Sequence, residues 1–131
     1  MSIMGRRVPI RMVVLLAVCL IVGTLIPVMS RTETREIHLV ARDMAFYLAD
    51  DPRTANPTLT VHAGETVRIV IRNDDRGYTH DFALPIADAS TRTLAFGDQS
   101  ELTLTVPSRP GTYEYECRPH RVMMRGVIKV Q

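Results

Sequence analysis

The sequence has little of what large enzymes and disulfide-stapled proteins need. It has 131 residues, no tryptophan and only two cysteines. This length holds one ordinary domain, so it excludes a Rossmann enzyme, a TIM barrel and any catalyst with separate substrate and cofactor lobes. Cys19 lies in a long apolar run and Cys117 lies near the C-terminus, which argues against an internal disulfide. Cys117 therefore has to be explained as a lone thiol.

A basic patch is also missing. The net charge of +2 comes from 16 Lys and Arg against 14 Asp and Glu, but three of the arginines (Arg6, Arg7 and Arg11) precede the apolar run. From Arg31 onward, 13 basic and 14 acidic residues give a net charge of −1 with neutral histidines. Proteins that hold a phosphate backbone cluster their Lys and Arg residues, so the sequence predicts no nucleic-acid partner.

The first thirty residues are typical of a membrane-targeting segment. Met12 to Met29 is an 18-residue run without a charged side chain, near the lower end of what crosses a hydrocarbon core of ~30 Å. The arginines before this run place the N-terminus in the cytoplasm and the rest of the chain in a periplasmic or extracellular space. We expect residues 1–30 to be an uncleaved signal anchor. A cleaved signal peptide, which would make the protein secreted, is the alternative, although Val28-Met29-Ser30 is a mediocre cleavage site.

Residues 31–35 form a short polar spacer, and residues 36–131 form one domain that reads as short strands. Apolar and polar residues alternate most clearly over Thr66 to Asn73 and Glu101 to Val106, the period of a half-buried strand. Glu36 to Tyr47 is expected to be one strand with a kink near Arg42 and Asp43. About seven strands with turn signals between them, and no convincing helix after Ser30, predict an all-β sandwich or barrel.

Two of the predicted strands carry residues with metal-binding chemistry. Thr79 to Pro85 places His80 on the same face as Phe82 and Leu84. Thr112 to Cys117 places Cys117 on the same face as two tyrosines. Because these faces are apolar, His80 and Cys117 are both predicted to point into the core.

A thiol, an imidazole and a thioether lie within eight positions between two strands, at Cys117, His120 and Met124. His80 supplies a second imidazole upstream. Two His and one Cys in a trigonal arrangement, with a distant axial Met, are the ligands of a blue-copper site. Thiolate and thioether are soft donors that hold Cu(I), and imidazole suits both oxidation states. Such a site passes an electron with little rearrangement.

The motifs around these residues resemble the cupredoxins, the copper proteins of the plastocyanin, pseudoazurin and azurin type. The resemblance spans residues 36–131 and rests on His80-Asp81-Phe82, the approach strand Pro110 to Cys117, Cys-x-Pro-His and Met-x-Gly. It implies a Greek-key β-sandwich that binds one type 1 copper ion through His80, Cys117, His120 and Met124. It also implies that electrons enter and leave through His120.

Two departures from the plastocyanin pattern bear on the ligands. Plastocyanin-like loops have four residues between the histidine and the methionine, whereas three separate His120 from Met124 and two separate it from Met123. The Met-x-Gly register favours Met124. The shorter spacing resembles the loop of nitrous-oxide reductase, so Met123 is the alternative axial ligand. Asp81 stands where plastocyanin has asparagine, and it is expected either to accept backbone N–H bonds that pin the two ligand segments or to face solvent.

The ligand set predicts a mononuclear type 1 copper protein that transfers single electrons outside the cytoplasmic membrane. Its expected partners are redox proteins of a respiratory chain or a copper-dependent oxidase or reductase. The alternative is a copper chaperone or metallation factor for a respiratory copper enzyme. We do not expect an enzyme, because only His38 and His62 remain for a second set of copper ligands. A zinc site of one Cys and two His would leave Met124 without a role.

Three arginines surround the ligand loop: Arg118, Arg121 and Arg125. They are expected either to be solvated or to form a basic collar. Such a collar would steer an acidic partner to the copper edge and would raise the reduction potential by favouring Cu(I).

Overall fold

In the computed structural model, residues 34–131 are described, and the predicted signal anchor or signal peptide (residues 1–30) lies outside them. The described chain consists of strands and two short 3-10 helices, Pro85–Ala87 and Arg118–His120. Within these residues, no helix is long and apolar enough to span a membrane. The strands are β1 (Arg35–Arg42), β2 (Ala45–Leu48), β3 (Leu59–Val61), β4 (Thr66–Asn73), β5 (Ala83–Leu84), β6 (Ala89–Ser90), β7 (Gln99–Thr105), β8 (Gly111–Glu116) and β9 (Arg125–Val130).

The strands form two sheets that pack as a Greek-key sandwich. One sheet has the order β2-β1-β4-β7 and the other the order β3-β9-β8-β5-β6. The β1–β4 and β3–β9 pairs are parallel, whereas the remaining pairs are antiparallel. The prediction of an all-β sandwich is confirmed. β1 begins at Arg35, one residue before the predicted start of the domain.

The core lies between the two sheets and is built from alternating residues. In β4, Val67, Ile69 and Ile71 are fully buried, as their spacing predicts. Three aromatic rings fill the centre: Phe46 meets Tyr115 edge-on at a centroid distance of 5.5 Å, and Phe82 stacks on Tyr115 at 5.4 Å. Each fully buried apolar side chain of this size contributes roughly 1.5–3 kcal/mol to folding. This core fixes the strands whose ends carry the candidate ligands.

The prediction of one kinked strand from Glu36 to Tyr47 is wrong, because the chain reverses direction there. β1 and β2 form a hairpin in which Arg42 pairs with Ala45, so Asp43 and Met44 are its two-residue loop. Both loop residues have positive φ, 50° and 55°. Loops of this geometry normally contain Asn-Gly or Asp-Gly. The usual sequence signal is therefore missing.

The strand predicted over Thr79 to Pro85 is too long. The structure has only β5 in this segment, preceded by a single bridge between His80 and Leu94. His80 N–H donates to Leu94 O at 3.0 Å, and Leu94 N–H donates back to His80 O at 2.7 Å. His80 is fully buried. Its predicted inward direction is therefore confirmed, although one bridge rather than a full strand fixes its backbone.

Candidate metal centre

Three donor atoms from separate parts of the chain meet at one end of the sandwich. Cys117 Sγ lies 3.7 Å from His80 Nδ1 and 3.7 Å from His120 Nδ1. All three donor atoms lie within 4.8 Å of one another. His80 and Cys117 are fully buried, whereas His120 is half-buried. Within residues 34–131, this is the one group of three or more His, Cys, Asp or Glu side chains placed to hold a metal ion.

The segment from Cys117 to Met124, the ligand loop, closes on itself through backbone hydrogen bonds. Cys117 N–H donates to Met124 O, and Met124 N–H donates to His120 O, both at 2.9 Å. Pro119 lies in the first turn of the 3-10 helix that carries His120, where a proline needs no N–H partner and its fixed φ favours the turn. The relative positions of Cys117 and His120 are thus set by the backbone of one short loop.

The spacing of the donors fits a metal ion between them. A metal bound at ~2.3 Å from sulfur and ~2.0 Å from nitrogen, with a trigonal angle, would separate the two donors by about 3.7 Å. The observed Sγ–Nδ1 separations are both 3.7 Å. A thiolate, two imidazoles and a nearby thioether are the donor set typical of type 1 copper.

The protonation of the donors also fits a metal site. Burial lowers the pKa of His80, against the opposing effect of the hydrogen bond with Asp75. The neutral, metal-binding form of the imidazole is therefore favoured. Burial raises the pKa of the Cys117 thiol, so the thiol keeps its proton until a metal displaces it. A buried, protonated thiol is inert toward oxidation.

The two candidate axial methionines lie in opposite environments. The side chain of Met124 is fully buried within the core cluster that contains Cys117. The side chain of Met123 is 58% exposed. The backbone carbonyl of Met123 accepts a hydrogen bond from Asn56 Nδ2 at 3.1 Å. The side chain of Met123 is therefore at the surface, whereas that of Met124 is buried in the core cluster that contains Cys117.

Asp81 pins the two ligand segments together, which confirms the first of its two predicted roles. Its side chain is only 1% exposed. Asp81 Oδ1 accepts the backbone N–H of Arg118 at 2.8 Å, and Oδ2 accepts Arg118 Nε at 2.7 Å. The guanidinium of Arg118 also donates to Thr91 O at 3.2 Å. The residue after His80 is thereby joined to the residue after Cys117.

Asp75 also contacts the centre, although no motif in the sequence indicates it. Asp75 Oδ2 lies 3.0 Å from His80 Nε2. Burial raises the pKa of the Asp75 carboxyl, but the hydrogen bonds from Met44 N–H, Asp43 N–H and His80 outweigh burial and lower that pKa overall. In the sequence, Asp75 lies in the segment Asp-Asp-Arg-Gly, which is typical of a turn. Its hydrogen-bond partners in the loop of the β1–β2 hairpin, Asp43 and Met44, belong to no recognisable sequence motif.

The predicted basic collar is partly neutralised. Arg118 pairs with Asp81, and Arg121 Nη2 lies 3.3 Å from Glu116 Oε2. Arg125 is exposed. Two of the three positive charges thus have a carboxylate partner next to the ligand loop, so the collar is weaker than the sequence suggests.

Apolar and aromatic side chains are also exposed near His120, beside the arginines of the ligand loop. Val122 is 86% exposed and Tyr78 is 52% exposed. The ring of Tyr78 meets the ring of His120 edge-on, at a centroid distance of 6.0 Å. His38 and His62 are both exposed and do not belong to the donor cluster. Because His80 and Cys117 are fully buried, His120 is the member of the donor cluster that reaches the protein surface.

The sequence profile of the copper-binding proteins of the plastocyanin/azurin family matches residues 53–131. The chain belongs to this family. Its fold is similar to an auracyanin of Roseiflexus castenholzii, with 20% identity and a TM-score of 0.59 over 75% of this chain and 98% of that one. It is also similar to auracyanin A of Chloroflexus aurantiacus, described as a blue copper protein, with 24% identity and a TM-score of 0.58 over 73% of this chain and 98% of that one.

A copper-containing nitrite reductase of Thermus scotoductus is also similar, with 27% identity and a TM-score of 0.56. The match covers 75% of this chain but only 28% of the reductase. No curated protein matches the sequence. The match thus spans nearly the whole length of the two auracyanins but only about a quarter of the nitrite reductase.

The cupredoxin resemblance of the sequence is thus confirmed. The family and the donor cluster together establish a single type 1 copper site of two histidines, one cysteine and one methionine. When bound, copper supplies a one-electron couple between Cu(II) and Cu(I).

Proposed function

We propose that this protein is a single-electron carrier whose copper ion is held by His80, Cys117, His120 and Met124. The observation that carries the proposal is the convergence of two Nδ1 atoms on one buried thiol, each at 3.7 Å. The burial of Met124 beside Cys117 supports its assignment as the axial ligand. Met123, the alternative, has an exposed side chain, and its backbone carbonyl accepts a hydrogen bond from Asn56.

The surroundings of the donors favour electron transfer over a chemical reaction. His80 is fixed by its backbone bridge to Leu94 and by Asp75, and Cys117 is fixed by the closed ligand loop. Donors that cannot move keep the same geometry in both oxidation states, which lowers the reorganisation that accompanies electron transfer. The half-buried ring of His120, edged by Tyr78, is the contact point for a partner.

The copper chaperone alternative receives less support. Handing a metal to another protein requires an incoming ligand to reach it, and two of the three clustered donors are fully buried. Reversible cycling of the bound ion with constant copper content would support electron transfer. Rapid loss of Cu(I) to a copper-free acceptor protein would support delivery and would contradict the proposal.

We also propose that the copper domain works on the outer side of the cytoplasmic membrane, anchored by residues 1–30. The charge-free run after three arginines supports this topology. The burial of the single described cysteine is consistent with an oxidising compartment, where an exposed thiol would be at risk. The proposed partners are redox proteins of a respiratory chain or a copper-dependent oxidase or reductase. They would dock at the half-buried ring of His120, next to Tyr78.

Separate substitution of the two methionines tests the ligand assignment. In copper-loaded protein, Met124→Leu should change the copper hyperfine splitting in the EPR spectrum and raise the reduction potential. Leucine keeps the volume but offers no sulfur. Met123→Leu is the matched control and should leave both quantities unchanged. The opposite result would assign Met123 as the axial ligand.

A further inference from the structure

Asp75 is a nearly buried carboxylate two residues after the end of β4, with three hydrogen-bond donors around it. Its side chain is 15% exposed. Asp75 Oδ1 accepts the N–H of Asp43 at 3.0 Å, and Oδ2 accepts the N–H of Met44 at 3.1 Å. The third donor is His80 Nε2, 3.0 Å from Oδ2. The carboxylate thus joins the loop of the β1–β2 hairpin to a residue of the donor cluster.

This contact determines which nitrogen of His80 carries the proton. An ionised carboxylate can only accept hydrogen bonds, so His80 Nε2 has to be the protonated nitrogen. The lone pair of the neutral ring then lies on Nδ1, the atom 3.7 Å from Cys117 Sγ. A carboxylate that fixes a histidine in this way also makes the histidine a more basic metal ligand.

Within residues 34–131, no arginine or lysine forms an ion pair with Asp75. Among the ion pairs of residues 34–131, the one that involves Asp75 is with His80 itself. Asp81, the other buried carboxylate near the centre, is paired with Arg118. Asp75 therefore leaves a negative charge one imidazole away from the copper site. Such a charge favours the more positive Cu(II) state over Cu(I).

From these contacts, and on the basis of the proposed copper site, we propose that Asp75 is a positioning residue that fixes the tautomer of His80 and lowers the reduction potential of the copper. The two backbone hydrogen bonds serve a related purpose. They hold the carboxylate in place and stabilise Asp43 and Met44 in their positive-φ conformation, which is costly for residues other than glycine.

The first test compares Asp75→Asn with Asp74→Asn in the copper-loaded full chain. Asp74 is the matched control, because it is the adjacent carboxylate and pairs with the exposed Arg72 at 2.6 Å. Asp75→Asn should weaken Cu(II) binding by about 10- to 100-fold and Cu(I) binding by less. A tenfold loss of preference for Cu(II) corresponds to a rise in potential of about 59 mV. Asp74→Asn should leave the affinities and the potential unchanged.

A folded Asp75→Asn protein with the wild-type potential would overturn the proposal and leave Asp75 only a hairpin-stabilising role. The wild-type absorption spectrum separates this failure from failure of the proposed function. A blue wild type with an unshifted variant refutes the role of Asp75 alone, whereas a colourless wild type refutes the copper assignment.

The second test needs neither copper nor a folded variant. Long-range ¹H–¹⁵N NMR spectra of the copper-free wild-type protein report which nitrogen of His80 is protonated. We expect the Nε2–H tautomer and a proton that exchanges slowly with solvent. A predominant Nδ1–H tautomer would overturn the proposal.

Discussion

The hydrogen bonds of Asp81 provide a quantitative test of how the ligand segments are held. Asp81→Ala removes the acceptor of the Arg118 backbone N–H and the ion-pair partner of its guanidinium. A hydrogen bond to a charged acceptor contributes about 1.5–3 kcal/mol to stability. The ion pair adds only about 0–1 kcal/mol, because half of the Arg118 side chain is exposed. We therefore expect the free energy of unfolding to fall by about 1.5–4 kcal/mol.

Asp81→Asn is the matched control for the carboxylate. Its carbonyl oxygen can still accept the Arg118 N–H, so the expected loss is smaller, about 1–2 kcal/mol. Urea unfolding of the copper-free full chain, followed by far-UV circular dichroism, measures both values. A loss below about 0.5 kcal/mol for Asp81→Ala, the usual range of a surface substitution, would refute the pinning role. Equal losses in the two variants would mean that the charge, and not the backbone hydrogen bond, carries the effect.

Two further predictions concern the contacts that support the ligand loop. Gly126 lies opposite Tyr115, and a Cβ at this position would overlap the hydroxyl end of that ring. Gly126→Ala should therefore lower the free energy of unfolding by roughly 2–4 kcal/mol, because the added methyl group displaces the ring and breaks the hydrogen bond from the Tyr115 hydroxyl to Pro57 O. Tyr115→Phe should lower the free energy of unfolding less in the Gly126→Ala variant than in the wild type, because the hydroxyl has already lost its hydrogen bond there. A double-mutant cycle measures this difference. Strictly additive losses would argue against the overlap. Asn56→Ala should lower the free energy of unfolding by roughly 1–3 kcal/mol, because the Asn56 side chain donates a hydrogen bond to Met123 O and its backbone has a φ of 48°. Asn56→Gly removes the same side chain but tolerates the positive φ, so it should lower stability less than Asn56→Ala. Equal decreases in the melting temperature of the two variants would exclude backbone strain as a cause.

Much of the fold could be predicted because a strand leaves a local signal. The alternation in Thr66 to Asn73 reproduces β4 residue for residue. The donor cluster could be predicted because Cys117 and His120 lie on one short loop and because the apolar neighbours of His80 and Cys117 indicate that both side chains point inward, although a single bridge and not a full strand holds His80. Cys117 and His120 are thus neighbours in both sequence and structure, whereas His80 joins them from 37 residues away.

The remaining contacts depend on residues far apart in the chain. The hairpin loop at Asp43 and Met44 lacks glycine, and its stabilising acceptor, Asp75, lies 31 residues from Met44. Likewise, the positive charges of Arg118 and Arg121 are reduced by partners that only the folded chain brings close. A single sequence contains no local pattern for either contact. The sequence therefore predicts the donor cluster and the hydrogen bonds of Asp81, but neither the contact of Asp75 with His80 nor the ion pair of Arg121 with Glu116.

The most direct test of the central claim is the visible absorption and EPR spectrum of the copper-loaded protein. We predict an intense charge-transfer band from the Cys117 thiolate toward the red end of the visible spectrum and a small copper hyperfine splitting. Cys117→Ser should abolish the band, while Met123→Leu should leave it unchanged. A wild-type protein that binds one copper ion per chain without this band would contradict the assignment of His80, Cys117, His120 and Met124 as a type 1 site.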